Sequence, residues 1–292
     1  MHPRFLLTSS IPHAHQQIMQ FCAHHDIEIQ SWLSDQHTSA QAAHIPASEK
    51  LSLSSLRPLA HTYQIDVNPY TQNNQLKKLL IADMDATIIR GESLDELAAL
   101  CGRKDEIAAI TARTMAGELD FQTGLDMRLS QLAGQPEAKL QQVIDNTIIT
   151  DGAAVLIATL QAHHTPCYLV SGGFRFLTSH IASRLGFTGD CANQLGIEDG
   201  KLTGKALPPL IDKSSKEQIL RQKCAEYGIS ADEAICVGDG ANDAAMLSHA
   251  GLGVAFEGKP ILKQATDTHL DFTDLTGLLY LQGLKSSSFV TV

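Results

Sequence analysis

A chain of 292 residues exceeds one average domain and falls short of three, and it is long enough to fold without a disulfide or metal staple. Its make-up, 43% hydrophobic and 18% charged, excludes a disordered or collagen-like protein. With 22 basic against 32 acidic residues the net charge is −10, which argues against nucleic-acid or anionic-membrane partners, because both rely on excess basic charge.

Six cysteines (Cys22, Cys101, Cys167, Cys191, Cys224 and Cys236) form no C-x-x-C pair, so neither a zinc ribbon nor a thioredoxin-type site is indicated. Cys167 and Cys236 sit in apolar runs, where a reduced thiol packs as a small hydrophobe. Near the N-terminus only Phe5-Leu6-Leu7 is apolar, too short for a signal peptide, and no stretch approaches a transmembrane length. A reduced, soluble, cytoplasmic protein is the expectation.

Residues 1–75 read as a small N-terminal domain of unknown role. Eight of the 13 histidines lie before residue 62, scattered among Ser, Gln and Ala. Without defined spacing they read as solvated or lightly packed side chains, not metal ligands. The polar stretch 69–75 reads as a linker.

From residue 76 the pattern changes. Leu79-Leu80-Ile81-Ala82 is a continuous apolar run ending in Asp83, as expected of a parallel strand buried on both faces. Cys167-Tyr168-Leu169-Val170 leads in the same way into Ser171, and Ala234-Ile235-Cys236-Val237 into Gly238-Asp239; residues 252–256 are a fourth candidate. Helices are predicted over 153–162, 176–185, 216–227 and 244–250. This alternation predicts an α/β fold with a doubly wound, mostly parallel sheet over 76–91 and 151–292. Asp199-Gly200 reads as a hairpin turn. Residues 92–150 hold no good strand and three or four amphipathic helices, the first opening on the capping-box pattern Ser93-Leu94-Asp95-Glu96. A helical block inserted there is expected to cap the C-terminal edge of the sheet, where such folds bind ligands.

Taken alone, Asp83-x-Asp85 is more often a polar loop closing a strand than a site. A calcium loop requires Gly at its sixth position, where Ile88 stands. The chain has no G-x-x-x-x-G-K-[ST], and Gly238-x-Gly240 lacks the third glycine of a dinucleotide site, since Asp243 takes its place. The company of Asp83 points elsewhere. Ser171-Gly172-Gly173 ends a strand and opens a helix, an arrangement that binds phosphate through backbone amides. Lys216 lies in the first turn of a helix that starts with a second capping-box pattern, Ser214-Ser215-Lys216-Glu217, and Gly238–Asp243 ends a third strand. Asp83, Asp85, Asp239 and Asp243 converging on one crevice would repel by about 4 kcal/mol per close pair at a surface-like dielectric. They therefore call for a hard divalent cation, and Mg²⁺ suits carboxylates that share a phosphate. Phosphoryl transfer is the chemistry such parts serve.

In these motifs the chain resembles the haloacid dehalogenase-like hydrolases and, within them, the phosphoserine phosphatase family. Asp83/Asp85/Thr87, Ser171, Lys216 and Gly238-Asp239 with Asp243 match the wider pattern. Gly91–Ala98, Met115–Phe121, Ser171–Phe174 and Val237–Asp243 match the narrower one, from about Lys77 to Gly283. The resemblance implies hydrolysis of O-phospho-L-serine, a small molecule, as the last step of serine synthesis. Asp83 would be the nucleophile and Asp85 the general acid and base. Mg²⁺ would sit on Asp83, the Asp85 carbonyl and Asp239, with Asp243 orienting the shell. Ser171, Gly172 and Lys216 would grip the phosphoryl group, and Asn242 would touch substrate or phosphate. Glu92 would meet the substrate ammonium and Arg128 its carboxylate, with Met115 and Phe121 as an apolar lid. Ala86 stands where the family often has Ser, and Thr87 keeps the next hydroxyl, so altered loop hydrogen bonding is expected there. A phosphotransferase or a broader small-molecule phosphatase on the same scaffold remains the alternative, and the state is a monomer or homodimer. A binding protein that merely kept the fold would have no need for nucleophile, acid, metal ligand and lysine together.

Overall fold

A computed structural model describes residues 4–36, 38–47, 51–71 and 74–292, with the side chains of Met115 and Lys213 outside the description. The N-terminal unit runs β1 (Arg4–Ser9), α1 (Ala14–His24), β2 (Ser31–Trp32), β3 (Gln41–Pro46), α2 (Leu53–His61) and β4 (Asp66–Tyr70). Its antiparallel sheet has the order β2-β3-β1-β4, the split β-α-β or ferredoxin-like arrangement. Strand alternation sends Phe5 and Leu7 toward Ile18, Phe21, Leu56 and Ala60, while Leu6 and Ala42 on the opposite face join the core of the rest of the molecule.

The remaining elements are β5 (Leu79–Ala82), α3 (Ser93–Leu100), α4 (Lys104–Met115), α5 (Phe121–Ser130), α6 (Ala138–Asn146), α7 (Ala153–Ala162) and β6 (Cys167–Phe174). They continue with α8 (Arg175–Leu185), β7 (Gly189–Glu198), β8 (Lys201–Leu207), α9 (Lys213–Tyr227), β9 (Ala234–Gly238), α10 (Ala244–His249), β10 (Leu252–Phe256), β11 (Thr268–Leu270) and α11 (Gly277–Leu281). The second sheet has the order β11-β10-β9-β5-β6-β7-β8, parallel throughout except for the β7–β8 hairpin. The expected α/β class with a mostly parallel sheet is what the chain forms. β5 explains its own apolar run: Leu80 and Ala82 face the core built with α7, α8 and α11, and Leu79 and Ile81 face the one built with α9 and α10. The hairpin turns at Asp199 (φ 49°) and Gly200 (φ 70°), both left-handed as the tight two-residue turn requires. No described helix is long and apolar enough to cross a membrane.

Three local readings need correction. Ser93 does not cap α3: it is the first helical residue, Glu92 precedes it, and no side chain caps that end. The cap of α9 is Asp212, whose carboxylate accepts from the amides of Ser214 and Ser215, so Lys216 lies two residues further in than its motif suggested. One histidine of the N-terminal unit, His44, is buried outright, whereas His15 is only half-buried, as a lightly packed side chain. His15 stacks on Trp32 at 4.2 Å, and His44 is buried against Tyr70 with Ser31 at its Nδ1.

The N-terminal unit meets the larger sheet along β11. Asn68 donates to the carbonyl of His269 and accepts from its amide, replacing the strand partner that an edge lacks. Asp66 is buried beside it and accepts from the amides of Asp271 and Phe272 and from Thr273 Oγ1 at 2.7–3.0 Å. Burial pushes its carboxyl up to about 7 despite these bonds. A folded-state value above the unfolded one stabilises the fold at low pH, and that contribution is lost as pH rises through about 7. His44, held down at about 4 by burial and Arg4, contributes in the opposite sense, losing stability as pH falls toward that value. The test is therefore differential. In urea titrations, the stability of the wild type minus that of Asp66→Asn is expected to drop by about 2 kcal/mol between pH 5 and 8. A flat difference would show that Asp66 titrates as an exposed carboxyl.

Candidate active site

The chain reverses direction across the sheet at β5, which lies between β9 and β6, so loops leaving these strands splay apart and open a crevice at their C-terminal ends. Asp83 leaves β5, Ser171–Gly173 close β6, Asp239 leaves β9, and Lys259 follows β10. Helices α3, α4 and α5 form the facing wall. The cleft between them measures about 600 Å³ and reaches from Asp83 to Arg128.

At its floor, Lys216 Nζ sits 2.7 Å from both Asp83 Oδ1 and Asp243 Oδ1, with all three groups buried. Burial works against the lysine charge, but the two carboxylates outweigh it and hold the ammonium above the usual lysine range. Two carboxylates share one cation, so negative charge is left over. Burial and the neighbouring Asp243 accordingly push the Asp83 carboxyl well up, against the pull of Lys216. Asp83, Asp239 and Asp243 have ligand oxygens all within 4.8 Å of one another, a hard, oxygen-only donor set that fits a divalent cation. The excess negative charge supplies the reason for binding one.

Asp85 is turned away from that group. Its Oδ1 accepts from the Ser93 amide at 2.8 Å and its Oδ2 from Ser171 Oγ at 3.2 Å. Burial raises its carboxyl in spite of these bonds, as a proton donor near neutral pH requires. The intervening loop is tight: Ala86 adopts φ 51°, costing about 1 kcal/mol for a residue with a Cβ, and its amide donates to the carbonyl of Gly91. Thr87 Oγ1 is buried with no hydrogen-bond partner among the described residues. The two glycines after Ser171 differ. A Cβ on Gly173 would come within 2.7 Å of Asp85 Oδ2, whereas one on Gly172 would meet nothing closer than 3.9 Å. Gly173 is thus required by the site itself, and Gly172 leaves space open toward the cleft.

Glu92 stands at the mouth, its chain partly in water but its carboxylate set in a concave, acidic corner. Partial desolvation and Asp85 push it up to about 7, with Lys259 opposing. Arg128 is half-buried on α5, where its Nε donates to the Gly124 carbonyl one turn back, and its guanidinium lines the cleft. Gly124 must be small, because a Cβ there would strike Thr114 on α4. Phe121 and Asn242 also line the cleft, while Asp243 lies behind it. The side chain of Met115 is outside the described residues.

Two participants escaped the motif reading. Lys259 pairs with Asp239 Oδ2 at 2.9 Å, and its own amide donates to the Asp239 carbonyl. Its signal was positional: it follows an apolar strand at the same sheet edge. Asn193, on β7, is fully buried and bonds the backbone of both Gly172 and Ile211.

The family model of the haloacid dehalogenase-like hydrolases matches residues 80–248, which run from β5 into α10 and include the strand ends that carry Asp83, Ser171 and Asp239. The chain belongs to this family. It is 38% identical over 220 residues to a phosphoserine phosphatase of Mycobacterium tuberculosis, covering 75% of this chain and 54% of that one, so it spans about half the length of that relative. It is 40% identical over 223 residues to the phosphoserine phosphatase of Haemophilus influenzae, covering 76% and 71%. A solved structure of a probable phosphoserine phosphatase from Vibrio cholerae superposes with a TM-score of 0.83 at 29% identity, over 96% of this chain and 86% of that one. That superposition takes in the N-terminal unit as well as the hydrolase core.

Proposed function

We propose that this haloacid dehalogenase-like hydrolase cleaves O-phospho-L-serine to serine and inorganic phosphate, through an aspartyl-phosphate on Asp83 and with Mg²⁺. The reading is carried by one arrangement: a buried carboxylate, held by a buried lysine, lies at the bottom of a cleft whose far wall carries Glu92 and Arg128. Asp83 Oδ1 is committed to Lys216 and to the Met84 amide at 2.8 Å, which leaves Oδ2 to attack phosphorus. As the new P–O bond forms, the bond to the serine oxygen breaks and Asp85 gives that oxygen its proton. Asp85 then takes a proton from water, whose oxygen attacks phosphorus and frees Asp83 with release of phosphate. Asp83, Asp239 and the Asp85 carbonyl would hold Mg²⁺ with Asp243 behind them, and the bound ion supplies positive charge to the phosphoryl oxygens. Ser171, the amide of Gly172 and Lys216 bind those oxygens from the other side, with Asn242 at the substrate.

A free amino acid phosphate carries an ammonium and a carboxylate, and the wall of the cleft offers Glu92 for one and Arg128 for the other. Phosphate release from phosphoserine should therefore exceed release from phosphothreonine, phosphohomoserine and sugar phosphates. Comparable rates on all four would replace this reading by the broader phosphatase, and transfer to an acceptor alcohol by the phosphotransferase. Arg128→Ala is expected to raise KM for phosphoserine by about 30-fold, the loss of a charge-assisted bidentate contact. Turnover of an aryl phosphate without a carboxylate should barely change. Equal losses on both substrates would make Arg128 a packing residue of α5.

A further inference from the structure

We propose that Asn193 is a positioning residue of the phosphoryl site, a role that rests on the function proposed above. Its side chain is fully buried on β7, and all its bonds go to backbone. Nδ2 donates to the carbonyls of Gly172 at 2.8 Å and Ile211 at 3.1 Å, and Oδ1 accepts from the Ile211 amide at 2.7 Å. One donor and two acceptors surround it, so the amide has only one orientation that satisfies them.

Two consequences follow from these bonds. First, the Gly172 carbonyl and the Gly173 amide belong to one planar peptide, so holding the carbonyl toward Asn193 aims the amide the opposite way. There it donates to Ser171 Oγ at 2.8 Å, and Ser171 Oγ donates in turn to Asp85 Oδ2 at 3.2 Å. A glycine pair has little intrinsic preference against flipping such a peptide, so the side chain of Asn193 supplies the constraint. Second, Ile211 directly precedes Asp212, the cap of α9, and α9 carries Lys216. Asn193 thereby sets the phosphate-gripping loop of β6 and the start of the lysine helix at a fixed separation, while itself touching neither substrate nor metal. The carboxylates of the metal group lie in the segments that follow β5 and β9, on the far side of β6 from β7.

That separation makes the role testable. Asn193→Ala should lower kcat/KM for phosphoserine about 100-fold, and weaken binding of inorganic phosphate, titrated calorimetrically in saturating Mg²⁺, about tenfold. Affinity for Mn²⁺, followed by electron paramagnetic resonance in the same protein, should stay within about twofold of wild type. Asn193→Asp keeps the shape and the acceptor for the Ile211 amide and withdraws the donor to the Gly172 and Ile211 carbonyls, and it should reproduce the phosphate defect. Unchanged phosphate affinity, or a parallel loss of Mn²⁺ binding, would overturn the proposal, as would failure of both variants to fold. Phosphate affinity does not depend on which ester is the substrate. A wild type that ignores phosphoserine would therefore refute the substrate while leaving this comparison intact.

Discussion

Asp83→Asn is expected to lower kcat by at least about 10⁴-fold while the metal-free protein melts higher than wild type. An amide is no nucleophile toward phosphorus, and no other described carboxylate takes its place, because Asp85 faces Ser93 and Ser171 and Asp243 lies behind Lys216. Stability should move the other way. Burial and Asp243 disfavour the Asp83 charge in the fold, and asparagine keeps an oxygen for Lys216 and for the Met84 amide while shedding that charge. Removing a repulsion of a few kcal/mol should raise the melting temperature in EDTA by several degrees. Adding Mg²⁺ should shrink the difference, since the ion relieves the same repulsion in the wild type. Phosphate release and thermal melts with and without EDTA read both effects. Residual turnover within about tenfold of wild type would remove Asp83 from the chemistry.

What the sequence made legible follows from burial. A parallel strand covered on both faces is apolar throughout, so β5, β6 and β9 announced themselves, and the polar residues at their ends marked the crevice. The N-terminal sheet stayed hidden for the converse reason. Its β3 buries His44 against Tyr70, its β4 buries Asp66 and Asn68 against the larger domain, and polar residues in those places break the alternation that signals a strand. Asn193 was invisible on the same account, a polar residue inside β7 whose partners are backbone atoms distant in sequence. The capping patterns misled because local preference lost to tertiary demand. The Ser93 amide is spent on Asp85, so it is not left for the reciprocal bond that Glu96 would accept in a capping box, and Asp212 holds the α9 cap in place of Ser214. Lys259 carried no motif, yet it neutralises Asp239 directly.

Lys216→Ala is expected to cost about 3–5 kcal/mol of stability in the metal-free protein, besides lowering kcat/KM by several orders of magnitude. The substitution leaves Asp83 and Asp243 buried and facing each other with no cation between them, and it opens a void where the lysine chain packed. Two signatures separate this from ordinary core damage. Saturating Mg²⁺ should restore much of the lost stability, because an ion held by the same carboxylates replaces the missing charge, while activity stays low for want of the phosphate grip. Lowering the pH should also narrow the gap to wild type. The Asp83 carboxyl is already pushed up in the intact site, and without Lys216 it rises further. The repulsion is therefore absent at low pH and grows as the carboxyls ionise on raising it. A deficit in melting temperature that ignores both Mg²⁺ and pH would mean that the void dominates and that the charge pairing contributes little. Lys216→Arg should not rescue activity, since a planar guanidinium cannot take the place of a compact ammonium 2.7 Å from two carboxylates in a fully buried slot.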